Sequence, residues 1–295
     1  MRKLLNLILI LTVCVSIAGV VFAENSQDEH HVFYQEVSWS PDGSRLLLSR
    51  FDVEGKSINM RLYLVRTDGT DGTFLTEGPG EVWATWSPGG RRIAYGDRVE
   101  GKYSIYIQEL ASGIRRRLTP PETDDGLPDW SPDGRSIVFM SRLESGRQVC
   151  VIDTNGSNRQ VLTTDSLDKW NPRWSPDGRK IVYYETSPAG EDSIIVIDRD
   201  GSNRMNLGQG IWPSWSPDGS EIVFTKGREG ICRMTSTGEE LAVITDSTAF
   251  FAAYSPDGKK IAVVRKVSDP AKGWPSDAAA FIMDCDGRNQ VRVTD

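Results

Sequence analysis

The sequence predicts an all-β protein, a six-bladed β-propeller with four antiparallel strands in each blade. Three observations predict it. One short turn sequence occurs six times, as Trp39-Ser40-Pro41-Asp42-Gly43, Trp86-Ser87-Pro88-Gly89-Gly90, Trp130-Ser131-Pro132-Asp133-Gly134, Trp174-Ser175-Pro176-Asp177-Gly178, Trp215-Ser216-Pro217-Asp218-Gly219 and Tyr254-Ser255-Pro256-Asp257-Gly258. From one motif aromatic to the next the steps are 47, 44, 44, 41 and 39 residues, the period of a four-stranded propeller blade. Each interval also holds the same succession of β-rich runs and turns, enough for four strands.

The chain opens with Arg2 and Lys3, an apolar run from Leu4 to Val21, and Val21-Phe22-Ala23 before the acidic Glu24. This is the layout of a secretory signal over residues 1–23, cleaved after Ala23. The alternative is an uncleaved anchor, because the run is about long enough to span a bilayer. Cys14 follows Val13, where lipid attachment would call for a small residue. Residues 24–34 are expected to be a linker and residues 35–295 the propeller. An exported protein with this leader is expected in the periplasm or outside the cell, with no stable membrane span once the signal is removed.

Each part of the motif has a mechanical role. Ser, then Pro with its φ already set, then Gly suit a type I turn whose last residue takes positive φ. Gly89 replaces the motif Asp in blade 2 and Tyr254 replaces Trp in blade 6, so both should be weaker copies of one turn. After the turn come a β-rich run such as Ile137-Val138-Phe139, a polar loop, and a second run such as Val149-Cys150-Val151-Ile152. A second turn follows, as at Asp153-Thr154-Asn155-Gly156, and then a short strand ending in Leu118-Thr119, Leu162-Thr163 or an equivalent. One such sheet cannot cover both of its apolar faces, so neighbours must stack, and a closed ring leaves none uncovered. Each motif Trp belongs between adjacent blades, where burying its ring contributes about 2–3 kcal/mol. The first strand is expected from Gln35. Blade 6 then meets blade 1 through side chains alone, unless His31 to Tyr34 adds a strand that closes the ring. No helix longer than two turns is expected beyond residue 24.

The formal charge is −7, and −9 once Arg2 and Lys3 are removed. Phosphate binding needs a basic stripe, and none is present, which argues against nucleic acid as a partner. The run Arg115-Arg116-Arg117 falls on an outermost strand and reads as an edge protected by charge. Beyond the leader the cysteines are Cys150, Cys232 and Cys285. The first two occupy equivalent strands in blades 3 and 5 and the third sits in a turn, so no disulfide is expected.

The recurring Trp-Ser-Pro-Asp-Gly, the strand ending in Asp, the Asp-Gly-Ser-Asn turn and the Leu-Thr element resemble the Pro-Asp variety of WD-like propeller repeat. The chain is similar to the propeller domain of TolB-family periplasmic proteins, best at Trp174 to Gly178 with Ile194 to Asn203, and at Trp130 to Gly134 with Val149 to Asn158. The resemblance runs from about Gln35 to Asp295. It implies a protein-binding ring in the cell envelope, without the N-terminal α/β domain that TolB proteins carry. Pro-Asp propellers also serve as halves of peptidases and glycan-active enzymes, so the repeat specifies fold more than function.

The chemistry available is limited. The only histidines, His30 and His31, precede the first expected strand, which excludes a Ser-His-Asp triad inside the ring. There is no Gly-x-Ser-x-Gly elbow. Adjacent histidines on a tail lack the further ligands a metal needs. Asp198-Arg199-Asp200-Gly201 resembles the start of a calcium loop, but the twelfth position is Gln209, an amide, so a hairpin turn is the better reading. No catalytic residue, metal or cofactor is expected.

More informative are the innermost strands leading into each motif. Three positions before the aromatic stand Glu36, Trp83, Leu127, Asn171, Trp212 and Phe251; one position before stand Ser38, Thr85, Asp129, Arg173, Ser214 and Ala253. Strand alternation puts both sets on one face. Glu36, Trp83, Asp129, Asn171, Arg173, Trp212 and Phe251 are therefore the candidate ligand-binding rim of the channel, able to stack on a sugar or grip a peptide end. Alternatively the aromatics pack between blades and Asp129 pairs with Arg173. In blade 6 a long loop from Val267 to Ala279 offers Trp274 and Asp277 as partner contacts, or else folds over the blade as filler. Together these readings point to a non-catalytic module that binds a protein or peptide partner in the envelope. The alternative is a glycan-binding or lyase-like propeller acting at the channel mouth through carboxylate, Tyr or Arg groups. A scaffolding subunit of a larger assembly is a third possibility.

Overall fold

The computed structural model describes residues 30–55, 57–267 and 277–294. The expected signal segment and Trp274 lie outside the described residues. The described strands form six four-stranded sheets, each antiparallel and in chain order. Blade 1 holds β1 (His30–Trp39), β2 (Arg45–Glu54), β3 (Ser57–Arg66) and β4 (Thr73–Phe74). Blade 2 holds β5 (Glu81–Trp86), β6 (Arg92–Val99), β7 (Lys102–Glu109) and β8 (Arg115–Arg117). Blade 3 holds β9 (Asp125–Trp130), β10 (Ser136–Leu143), β11 (Gly146–Asp153) and β12 (Gln160–Val161). Blade 4 holds β13 (Asp168–Trp174), β14 (Lys180–Thr186), β15 (Asp192–Asp198) and β16 (Met205–Gln209). Blade 5 holds β17 (Ile211–Trp215), β18 (Glu221–Lys226), β19 (Gly230–Thr235) and β20 (Glu240–Val243). Blade 6 holds β21 (Ala249–Tyr254), β22 (Lys260–Val267), β23 (Asp277–Asp284) and β24 (Val291–Arg292). The first strand of each blade touches the first strand of the next, and β21 returns to β1. The ring is closed, a six-bladed β-propeller. Among the described residues there is no helix, and none long and apolar enough to cross a membrane.

The motif turn works through its side chains. Ser40 Oγ donates to Asp42 Oδ1 at 2.6 Å and accepts from the Arg45 amide at 2.9 Å, while Asp42 Oδ1 accepts from the Ser44 amide at 3.0 Å. Blades 3 to 6 repeat this arrangement. In blade 2, Ser87 Oγ still accepts from the Arg92 amide at 3.0 Å, but Gly89 supplies no carboxylate. The last glycine of each motif takes positive φ and lies against the motif proline of the preceding blade, Gly90 on Pro41 and Gly134 on Pro88 for example. The six turns thus touch one another around one end of the ring.

The motif aromatics lie between blades, as expected. Trp130 packs with Ile105 and Ile107 of blade 2, Trp174 with Val138 and Val149 of blade 3, and Trp215 with Ile194 and Val196 of blade 4. The Leu-Thr element has a purpose of its own. In five blades the Thr hydroxyl, just beyond the outermost strand, accepts the amide of the neighbouring strand, as Thr163 does from Val149 at 2.9 Å. Its hydrophobic neighbour enters the interblade core.

At the seam, β1 begins at His30 rather than Gln35, so the expected linker is strand over its last five residues. Its hydrogen-bonding partner is β2, which runs on to Glu54 to match it. His31 to Tyr34 therefore lengthen blade 1 and add no strand to blade 6. Blade 6 meets blade 1 through side-chain packing and a hydrogen bond from Trp39 Nε1 to the Ala253 carbonyl at 3.0 Å. The blade 6 loop is also shorter than expected, because Asp277 pairs with Val267 across β22 and β23. Arg115, Arg116 and Arg117 are exposed on outermost strand β8, as the edge reading requires.

Candidate functional site

Every innermost strand carries the same distortion. Its register shifts by a bulge, and one residue without Gly's freedom adopts left-handed φ: Glu36 at 46°, Trp83 at 60°, Leu127 at 55°, Asn171 at 51°, Trp212 at 54° and Phe251 at 53°. These are the six residues three positions before the motif aromatic. Only Asn favours that conformation, so tertiary packing holds the other five there. The bulge, rather than strand pleating, aims these side chains toward the axis.

Below the mouth the channel is filled. Trp83, Leu127, Met140, Tyr184, Trp212 and Phe251 belong to one central apolar cluster with Tyr34 and Phe250. Trp212 meets Phe251 edge to face with ring centroids 4.5 Å apart, and Tyr184 meets Trp212 at 5.4 Å. Trp83, Trp212 and Phe251 are 8%, 4% and 6% exposed, so none is an open stacking platform. Trp83 turns away to pack on Tyr103, at 4.5 Å between centroids, and on Gly126, where a Cβ would lie 2.6 Å from the indole.

Above this plug the mouth at the motif end holds a cavity of about 330 Å³. Glu36, Asp129, Asn171, Arg173, Trp212 and Phe251 line it, and the motif residues Trp174, Trp215 and Pro176 complete its wall. Of the expected rim, Trp83 alone does not line the cavity. Asp277 is a strand residue of β23, and Trp274 lies outside the described residues. Besides packing between blades, the motif side chains form the cavity wall, a role that follows from the turns converging at one end and that no single repeat reveals.

The polar floor is a charge triad. Arg173 Nη2 lies 3.6 Å from Glu36 Oε1 and its Nη1 lies 3.7 Å from Asp129 Oδ1, while Nη1 also donates to the Pro128 carbonyl at 3.3 Å. Glu36 sits in blade 1 and Arg173 in blade 4, opposite each other in the ring, so this pair crosses the axis. Asp129 Oδ2 accepts the Trp174 amide at 2.8 Å and Oδ1 accepts from Thr85 Oγ1 at 3.3 Å. Burial raises the pKa of Asp129 despite Arg173 and these donors. Burial also pushes Glu36 up to about 7, with Arg173 pulling it down and Asp129 pushing it further up. Both Glu36 oxygens are buried without a hydrogen-bond partner, as are Asn171 Oδ1 and Trp212 Nε1. Among the described residues no group of three or more His, Cys, Asp or Glu side chains is placed to hold a metal ion.

The profile of the TolB beta propeller domain matches residues 28–211, more than half of the chain. The Tol-Pal system protein TolB of Methylococcus capsulatus is 29% identical over 104 residues, which are 33% of this chain and 24% of that protein. Among solved structures, TolB from Acinetobacter baumannii superposes with a TM-score of 0.66 at 19% identity, covering 88% of this chain and 62% of that one. An oligogalacturonate lyase in complex with manganese superposes with a TM-score of 0.60 at 19% identity, covering 90% of this chain and 77% of the lyase. The matches span less than two thirds of either TolB protein's own length. At such identity the solved structures show the fold.

Proposed function

The chain belongs to the TolB β-propeller family, and from that premise we propose that it is a non-catalytic, exported module that binds a protein or peptide partner in the periplasm or cell envelope. The observation that carries this reading is the mouth cavity: about 330 Å³, closed below by packed aromatics, with uncompensated polar atoms on its floor. A closed ring with a blind funnel suits a segment that enters from one side and stops. The family supports the same direction, since the Tol-Pal system protein TolB gives its name to it. Candidate contacts are Glu36, Asp129, Asn171, Arg173, Trp212 and Phe251.

The glycan reading has one observation in its favour, the likeness of fold to the oligogalacturonate lyase. The charge of the site opposes it. Two carboxylates face one guanidinium, which disfavours an acidic sugar chain on Coulombic grounds.

Selection of a random peptide library on the purified chain tests the proposal. Selected peptides should perturb the Trp212 indole and lose at least tenfold in affinity on Ser214→Trp, which fills the cavity, with circular dichroism showing the fold intact. Turnover of oligogalacturonate or envelope glycans, lost on Asp129→Ala, would replace this reading with the enzymatic one.

A further inference from the structure

Building on the proposed peptide-binding role, we infer that the mouth cavity selects a partner segment presenting a cationic side chain, an ammonium or a guanidinium, to Glu36. Glu36 is 6% exposed, both of its oxygens lack a donor, and it lines the cavity. Its conformation is left-handed with φ at 46°, an orientation Glu does not favour and that the bulge imposes. A second buried acceptor without a donor is Oδ1 of Asn171, a residue that lines the same cavity and whose amide nitrogen donates to the Pro213 carbonyl at 3.3 Å. Arg173 approaches Glu36 only to 3.6 Å, outside hydrogen-bonding geometry, and divides its charge between Glu36 and Asp129. The floor therefore has acceptors in excess of donors and negative charge in excess of positive. A ligand N–H group would satisfy what the protein leaves open, and an added carboxylate would meet two others.

The charged groups bearing on Glu36 are Arg173 of β13 and Asp129 of β9. With the Glu36 carboxyl pushed up to about 7 by burial, a cationic ligand should bind about tenfold more weakly at pH 6 than at pH 8.

The test uses blocked tripeptides with Lys, Arg, norleucine or Glu between two glycines, so that the central side chain alone differs. Binding to the full chain is followed by the Trp212 indole N–H signal in NMR. Lys and Arg peptides should bind at least tenfold tighter than the norleucine peptide. That preference and the pH dependence should vanish in Glu36→Gln, while the wild-type pH titration reads the same carboxylate should that variant fail to fold. Equal binding of the norleucine peptide, or a preference that survives in Glu36→Gln, overturns the cation inference and leaves the peptide cavity standing. No binding by any tripeptide overturns the inference and counts against the peptide reading of this cavity as well.

Discussion

Asp129 accepts the main-chain N–H of Trp174 at 2.8 Å, so a side chain on the innermost strand of blade 3 holds the backbone of the innermost strand of blade 4. The Arg173 guanidinium, one residue earlier, lies 3.7 Å from the other oxygen. Asp129→Ala removes the acceptor from a buried amide and leaves Arg173 facing Glu36 alone. A loss of about 2–4 kcal/mol is expected. Asp129→Asn keeps the acceptor and should lose less. Urea unfolding followed by tryptophan fluorescence measures both, and equal stability of Asp129→Ala and wild type would remove Asp129 from the architecture of the mouth.

Glu36 gives the stability a pH signature. Its folded pKa of about 7 stands above the ordinary 4.5 because burial penalises the charged form. Between these values the folded chain holds a proton that the unfolded chain has released, so the contribution is full below about pH 4.5 and is lost as pH rises through 7. The span is on the order of 3 kcal/mol. Glu36→Gln should flatten this part of the curve and be more stable than wild type near pH 8. Melting temperatures of both proteins across pH 5–8 check it, and parallel curves would count against a buried, proton-binding Glu36.

The fold was legible because its information is repeated: the Ser-Asp pairing, the glycine against the neighbouring proline, and the Thr that accepts a strand amide are local devices with local sequence signatures. The mouth was legible only by position. Counting back from each motif aromatic locates Glu36, Asn171, Trp212 and Phe251, but alternation gives the wrong reason for their orientation, since a bulge intervenes in every blade. A left-handed Glu36 or Trp212 has no sequence signature, because the strain is held by contacts from other blades. Trp83 shows the cost: its position matches that of Trp212, yet Gly96 and Gly126 open space beside it and the ring turns there instead of lining the mouth.

Blade 2 lacks one of the devices its neighbours share, and Gly89→Asp should restore it. Gly89 has ordinary backbone φ, and a Cβ there would meet nothing within 4 Å. The new carboxylate would accept from the Ser87 hydroxyl and the Arg91 amide, as Asp133 does from Ser131 at 2.6 Å and from the Arg135 amide at 3.0 Å. Loss of glycine's freedom in the unfolded chain adds to the effect. A gain of about 0.5–1.5 kcal/mol is expected, read as a raised urea midpoint with unchanged slope; a lowered midpoint would refute the turn's mechanism.

The three described cysteines should differ in reactivity. Burial pushes the Cys150 thiol up to about 12 and the Cys232 thiol up to about 11; it raises the Cys285 thiol too, but Cys285 is only partly buried and so is the accessible one. Reaction requires thiolate and access. A chromogenic disulfide reagent at pH 8 should modify Cys285 first, with Cys150 and Cys232 reacting only on unfolding. Peptide mapping of the first-labelled site decides it.

The seam between blades 6 and 1 supplies the last prediction. There the ring closes without a shared sheet, through packing of β1 on β21 and β23 and the bond from Trp39 Nε1 to the Ala253 carbonyl. Trp39→Phe should cost about 1 kcal/mol, the value of one hydrogen bond with packing kept. Trp39→Ala should cost about 3 kcal/mol, because the interblade core loses its largest ring. Trp215 makes the equivalent bond to the Arg173 carbonyl at 3.3 Å, between blades that are also joined by a covalent connection. Opening at that gap is restrained by the chain, whereas opening at the seam is not. Hydrogen exchange should therefore show Trp39→Ala accelerating blades 1 and 6 ahead of blades 3 and 4, while Trp215→Ala spreads its effect more evenly. Uniform acceleration around the ring in both variants would mean that the propeller opens as one unit and that the seam is no weaker than any other gap.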